Sequence, residues 1–126
     1  MKIMIVDDER DVEMLYRQRF RREIRDGTLE MYFAFSGDEA LSTLRSLSPL
    51  DIVFILSDIN MPGMTGLELL KLVKEQFPQL RVCMITAYND ETNYKTAMDY
   101  GAEQYLTKPI DFDKLKNHVL ALSKEP

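Results

Sequence analysis

One cysteine, Cys83, stands in the 126 residues, so no internal disulfide can form. No apolar run approaches the ~18 residues that cross a bilayer as a helix. Nor does the chain carry an excess of positive charge. Its formal net charge is −5 at pH 7, which argues against a protein held to nucleic acid by phosphate contacts. The opening residues MKIMIV run straight into a strand-like pattern without a signal-peptide layout. Repeats, linkers and low-complexity segments are missing as well. There is a single histidine, His118, and it lies far along the sequence from the acidic clusters. These absences leave an ordinary globular chain, 45% hydrophobic, long enough for one domain around one core and expected in the cytoplasm.

What is present is an alternation. Met1 to Val6 reads as a short buried strand that stops at Asp7, Asp8 and Glu9. Arg10 to Arg25 places Val12, Leu15, Tyr16, Phe20 and Ile24 on one helical face and four arginines on the other, and Asp26-Gly27 stops it. Leu29 to Phe35 is a second strand, an edge on account of Glu30. Ser36 and Glu39 form a capping-box pair for a helix to about Ser46, with Ala40, Leu41 and Leu44 inward, broken by Ser48-Pro49. The run Ile52 to Leu56 is a third strand ending in Asp58. Thr65 and Glu68 open a helix to about Gln76 that buries Leu67, Leu70, Val73 and Phe77, and Pro78 closes it. Arg81 to Ile85 is the fourth strand, ending in Thr86. A polar loop, Tyr88 to Glu91, leads to a helix with Ala97 and Met98 inward, ended by Gly101. A short fifth strand, about Glu103 to Leu106, ends at Thr107-Lys108-Pro109. Asp111 then caps a last helix on Leu115, Val119 and Leu122. Cys83 reads as strand filler and His118 as a surface residue.

Five strand–helix pairs with short loops imply an α/β domain with a parallel sheet covered on both faces. Parallel strands bring all their C-terminal ends to one edge, where ligands of open α/β sheets sit. Asp7 and Asp8, Asp58, Thr86 and Lys108 each follow an apolar strand, so they converge although some hundred positions separate them. Three carboxylates at close range repel; at an effective dielectric near 20, two charges ~4 Å apart cost about 4 kcal/mol. A hard divalent cation relieves this, and oxygen-only ligands suit Mg²⁺. A carboxylate nucleophile, a metal, a lysine and a hydroxyl together can stabilise a phosphoryl group in transfer.

Asp7-Asp8-Glu9, Asp58 within SDINMPGMTG, Thr86-Ala87 after the fourth strand, and Tyr105-Leu106-Thr107-Lys108-Pro109 appear in that order. In this order and spacing the chain closely resembles the receiver domain of two-component response regulators, over essentially its whole length. The resemblance implies a doubly wound, flavodoxin-like (βα)5 sheet of strand order 2-1-3-4-5. It implies a domain over residues 1–122, with 123–126 a polar tail or linker stub. It implies that Asp58 accepts phosphate from a sensor histidine kinase or phosphotransfer protein. Mg²⁺ would be bound by Asp8, Asp58 and the backbone carbonyl of Asn60, with Asp7 acting through water. Lys108 would pair with the phosphoryl oxygens, Thr86 would hydrogen-bond them, and Tyr105 would swing inward as Thr86 moves. The Lys108–Pro109 bond would be cis. Thr65 stands where many relatives have Asp, and still caps its helix; Asn60 and Tyr88 occupy positions that vary in the family and tune phosphate lifetime.

The output would be a partner-binding face on the fourth helix, fifth strand and fifth helix, around Tyr94, Lys95, Met98, Glu103 and Tyr105. It would meet a downstream effector or a second copy of the chain on phosphorylation, with no direct role for nucleic acid or membrane. Other classes fit less well. An aspartyl-phosphate phosphatase would want a general acid two residues after Asp58, where Asn60 stands. A flavin module would want a phosphate-cradling loop where Asp7-Asp8-Glu9 stands. A receiver that has kept only the fold would act as a plain interaction module.

Overall fold

A computed structural model describes residues 1–47, 52–87 and 90–122, apart from the side chain of Val53. The expected helix break at Ser48-Pro49, Tyr88 and the 123–126 tail lie outside the described residues. Among the described residues the elements in chain order are β1 (Lys2–Val6), α1 (Asp11–Arg19), α2 (Arg21–Arg25), β2 (Glu30–Ala34), α3 (Gly37–Ser46), β3 (Ile52–Asp58), α4 (Gly66–Gln76), β4 (Arg81–Thr86), α5 (Glu91–Asp99), β5 (Gln104–Thr107) and α6 (Phe112–Leu122). The strands form one parallel sheet in the order β2-β1-β3-β4-β5, as expected from the sequence.

Side-chain alternation along the strands divides the core in two. Met4, Val6, Ile55, Val82 and Met84 face α3, α4 and α5, meeting Leu41, Leu44, Leu69, Leu70, Val73 and Ala97. Ile3, Ile5, Phe54, Leu56, Cys83 and Ile85 face the opposite way, meeting Tyr16, Phe20, Leu115 and Val119 of the α1, α2 and α6 side. In β3 the alternation slips: Ile52 shares a face with Ile55, because the register against β1 shifts between Lys2 and Ile3. A one-residue irregularity of this kind moves the side chains beyond it to the other face.

Caps follow the sequence signals. Ser36 Oγ accepts the Glu39 N–H at 3.1 Å, and Thr65 with Glu68 completes a reciprocal capping box. Asp111 Oδ1 accepts from the N–H groups of Asp113 and Lys114, both at 3.1 Å. Asp90, not singled out as a cap from sequence, does the same for α5, accepting the Thr92 N–H at 2.8 Å.

Four expectations need correction. The helix read as Arg10 to Arg25 is two, parted at the fully buried Phe20, whose backbone sits at φ −107° and ψ 20°. The Phe20 N–H still donates to the Tyr16 carbonyl and the Ile24 N–H to that of Phe20, so apolar spacing continues across a break that periodicity does not register. Leu15 is 41% exposed and Met98 39%; neither packs inward. β5, at the edge where the implied strand order puts it, has residues at best half-buried and is not the covered apolar strand expected. His118 is not a plain surface residue. Its ring is half-buried edge-on against Phe54, with centroids 5.7 Å apart.

Candidate functional site

Backbone geometry delivers the acidic residues. The Asp7 N–H still donates to the Ala34 carbonyl at 3.1 Å, so the carboxylate leaves the sheet at its C-terminal edge. Asp58 is the last residue of β3 and pairs in register with Ile85. Thr86, the next residue, ends β4 and is fully buried. The Lys108 N–H donates to the Thr86 carbonyl at 2.8 Å, which carries the lysine to the same edge. The Lys108–Pro109 peptide bond is cis.

The loop after Asp58 doubles back tightly. The Ile59 N–H donates to the Ile85 carbonyl at 2.9 Å, and the Gly66 N–H to the Ile59 carbonyl at 2.8 Å. Gly63 takes φ +74°, a conformation open to glycine. At Gly66 a Cβ would overlap the Asp58 carbonyl oxygen and lie 2.7 Å from Ile59 Cα, so only glycine fits where α4 begins.

Carboxylate oxygens of Asp7, Asp8 and Asp58 lie within 4.8 Å of one another. Asp7 and Asp58 are buried, whereas Asp8 is exposed. The Lys108 ammonium reaches both buried groups, 3.5 Å from Asp58 Oδ2 and 3.7 Å from Asp7 Oδ2. Asp7 Oδ1 accepts the Glu9 N–H at 2.9 Å, and Asp58 Oδ1 accepts the Asn60 N–H at 3.4 Å.

One ammonium does not balance this charge. Burial raises the pKa of Asp58 above its ordinary value, against the pull of Lys108 and of the backbone N–H groups of Asn60 and Ile59. Burial likewise raises Asp7, and the like charge of Asp58 adds to it. For Lys108, burial opposes the charged form, but Asp58 and Asp7 outweigh it and hold its pKa above the ordinary value. A set of three converging carboxylates, two of them buried with raised pKa values, is chemically suited to a hard divalent cation.

Tyr105 stands apart from the acidic group on β5, next to Met84 in register. Its ring meets Tyr94 edge-on, with centroids 5.4 Å apart, and its buried hydroxyl has no hydrogen-bond partner among the described residues. Tyr94 is 48% exposed, so this pair forms part of an open face with Met98.

A feature not foreseen from sequence lies beside the acidic cluster. Val12, Leu15, Tyr16 and Arg19 from α1, with Ala87 and the segment Pro109, Ile110 and Phe112, line an apolar groove of about 630 Å³ that also touches Asp7 and Lys108. Its walls come from opposite ends of the chain. The available sequence signal was the apolar stripe of the first helix, whose Val12, Leu15 and Tyr16 read as plain core.

The sequence pattern of the family described as the response regulator receiver domain matches residues 3–120. The DNA-binding transcriptional regulator NtrC of Proteus hauseri is 39% identical over 112 residues, which is 89% of this chain and 22% of that protein. The chain thus spans less than a quarter of the NtrC relatives it matches. Sporulation initiation phosphotransferase F of Bacillus subtilis is 31% identical over 118 residues, covering 94% of this chain and 90% of that protein. Among solved structures, the CheX-CheY-BeF3-Mg complex from Borrelia burgdorferi superposes with a TM-score of 0.84 at 28% identity, over 99% of this chain and 90% of that one. Response regulator TrrA from Thermotoga maritima, in complex with Mg(2+)-BeF, superposes with a TM-score of 0.77 at 28% identity, over 96% of this chain and 97% of that one.

Proposed function

The chain belongs to the response regulator receiver domain family, and on that premise we propose that it is a phosphorylation-activated signalling switch with Asp58 as phosphoacceptor. The observation that carries this reading is the Lys108 ammonium, 3.5 Å from Asp58 and 3.7 Å from Asp7 at the strand-end edge. In the reaction a carboxylate oxygen of Asp58 attacks the phosphorus of a phosphohistidine. The new bond is the acyl phosphate O–P; the bond that breaks is P–N, and the imidazole leaves with a proton from solvent. Lys108 shifts its partnership from the carboxylate to the incoming phosphoryl oxygens, and the Thr86 hydroxyl donates to one of them. Mg²⁺, when bound, neutralises charge that these two groups leave uncovered. Asp8, Asp58 and the Asn60 carbonyl would hold it, with Asp7 acting through water.

The donor is a sensor histidine kinase or a phosphotransfer protein. The apolar groove between α1 and the Pro109–Phe112 segment suits a helix of that donor, because it ends at Asp7 and Lys108. The output face comprises α5, β5 and α6, around Tyr94, Lys95, Met98, Glu103 and Tyr105. Phosphorylation biases it through Thr86 and Tyr105 toward an effector or a second copy of the chain. The receiver occupies residues 1–122 and works in the cytoplasm, either alone or at the head of a longer regulator, with 123–126 as the connection. It assists its own phosphorylation and dephosphorylation without turning over an external substrate.

The test is acetyl phosphate or beryllofluoride with and without Mg²⁺, on wild type and Asp58→Asn, read by intact mass and size-exclusion. A Mg²⁺-dependent gain of one phosphoryl group, lost in Asp58→Asn, is expected. A change in elution would identify dimerisation as the output. A wild type that takes up neither ligand refutes the switch and leaves an interaction module. Sustained hydrolysis of a phosphomonoester would instead make the protein an enzyme.

A further inference from the structure

On the sheet face opposite α4, three residues from three elements converge. Cys83 lies in the middle of β4, fully buried, and pairs in register with Gln104. Glu103 immediately precedes β5 and is held there by its N–H, which donates to the Val82 carbonyl at 2.8 Å. His118 projects from α6. A sulfur, a carboxylate oxygen and a ring nitrogen from these three lie within 4.8 Å of one another. We propose that Cys83, Glu103 and His118 form a zinc-class metal site, independent of the acidic cluster, that clamps α6 to β4 and the start of β5.

The donor set selects the metal. Thiolate, imidazole and carboxylate are ligands of Zn²⁺ and of Co²⁺ in its place, whereas Mg²⁺ takes oxygen alone. Tetrahedral bonds of ~2.0–2.3 Å set neighbouring ligand atoms roughly 3.3–3.8 Å apart. His118 Nε2 and Glu103 Oε2 stand 3.1 Å apart, and the longest separation in the triad does not exceed 4.8 Å. Metal binding would draw the remaining atoms in by side-chain rotation.

Supporting contacts are already present. Glu103 turns its other oxygen, Oε1, to Arg81 Nη1 at 3.6 Å, leaving Oε2 for the cluster. His118 Nδ1 faces the Gln104 side-chain amide at 3.4 Å. A half-turn of that amide presents its oxygen to an Nδ1–H, which fixes the tautomer that leaves Nε2 free to ligate. A cavity of about 290 Å³ between β5 and α6, lined by Gln104, Leu106, Ile110, Lys114 and His118, reaches the histidine of the triad. A solvent molecule would supply the fourth ligand. Without metal, burial pushes the Cys83 thiol up to about 12, so it stays protonated and inert. On binding, the sulfur–metal bond replaces the S–H bond and the proton goes to solvent.

The test is a Co²⁺ titration of the full chain in excess Mg²⁺, which occupies the acidic cluster. One equivalent of Co²⁺ is expected to give a thiolate-to-cobalt charge-transfer absorption in the near ultraviolet, bleached by added Zn²⁺. The absorption should vanish in Cys83→Ser. In His118→Asn and Glu103→Gln the affinity should fall by about tenfold or more, the scale on which even outer-shell changes act. Asp58→Asn should leave the band intact, so a failed phosphoacceptor reading would not affect it. His118→Asn and Glu103→Gln change residues outside the strand core and keep the test open if Cys83→Ser does not fold. No charge-transfer band, or a band unchanged in both of these variants, overturns the site and leaves a histidine–glutamate hydrogen bond beside a buried thiol.

Discussion

Removing the charge of Asp58 is expected to make the metal-free protein more stable, not less. At an effective dielectric near 20, a carboxylate pair ~4.8 Å apart repels by about 3.5 kcal/mol. Asp58 has two neighbours within that separation, the buried Asp7 and the exposed Asp8, and solvent screens most of the Asp8 share. Lys108 at 3.5 Å from Asp58 returns an attraction of about 5 kcal/mol on the same scale, and less in practice. The reduction follows because the lysine side chain is 32% exposed. Burial of the carboxylate adds its own penalty. The balance is a net destabilisation on the order of 1–2 kcal/mol for the ionised form. The sign with pH follows from the raised pKa. The penalty is absent below the ordinary carboxylate value of 3.8 and appears as pH rises through the higher folded value. Urea unfolding in EDTA should therefore show Asp58→Asn more stable than wild type near neutrality, with the gap closing toward the acid end. Mg²⁺ at ten times its dissociation constant should add about 1.4 kcal/mol to the wild type and little to the variant. A variant that is less stable than wild type in EDTA at neutral pH would refute the charge argument. So would a gap that does not change with pH.

Gly66→Ala should both destabilise the fold and weaken phosphorylation, since the added methyl overlaps the Asp58 carbonyl. An overpacking loss of roughly 1–3 kcal/mol is expected by denaturant unfolding, and wild-type stability would contradict the crowding. Thr65→Ala removes one half of a completed capping box and should lower stability by about 1 kcal/mol, read the same way; no change would mean that packing alone holds the first turn of α4. Tyr105→Phe deletes a buried hydroxyl without a hydrogen-bond partner among the described residues. It should be neutral or stabilising by up to ~1 kcal/mol, and a clear loss of stability would show that the hydroxyl is bonded.

The convergence of Asp7, Asp58, Thr86 and Lys108 on one edge was legible because it follows from the parallel pairing of successive strands, whereas the strand order came with the family resemblance. Each strand announces itself as an apolar run, and its last residue has only one edge to occupy. Caps were legible where a side chain three residues on completes the signal, as at Ser36 and Thr65. Features that depend on what lies across space were not. Leu15 fits the helical stripe by spacing, but in the fold it lines the open groove beside Asp7. Met98 follows Ala97 on α5, and there the sheet takes Ala97, buried completely, while Met98 stays at the open margin of the helix. His118 looked like a surface residue because its partners, Phe54 and Glu103, stand 64 and 15 positions away. The break at Phe20 is one residue's departure from helical angles, too short to disturb a period.

The acidic edge is held together by groups that take no part in its chemistry. Mutual repulsion would disperse Asp7, Asp8 and Asp58 if they sat on mobile loops. They stay together because β1 and β3 are fixed in register by Ile3, Met4, Ile5, Phe54, Ile55 and Leu56, all nearly inaccessible to solvent. Three backbone bonds, Ile59 to Ile85, Gly66 to Ile59 and Lys108 to Thr86, then lock the loops that follow. Apolar burial on both faces of the sheet thus sustains a local electrostatic debt that side-chain pairing leaves open. That imbalance is what gives a cation or a phosphoryl group something to gain at this edge. A site whose charges were already balanced would be more stable and would respond to neither.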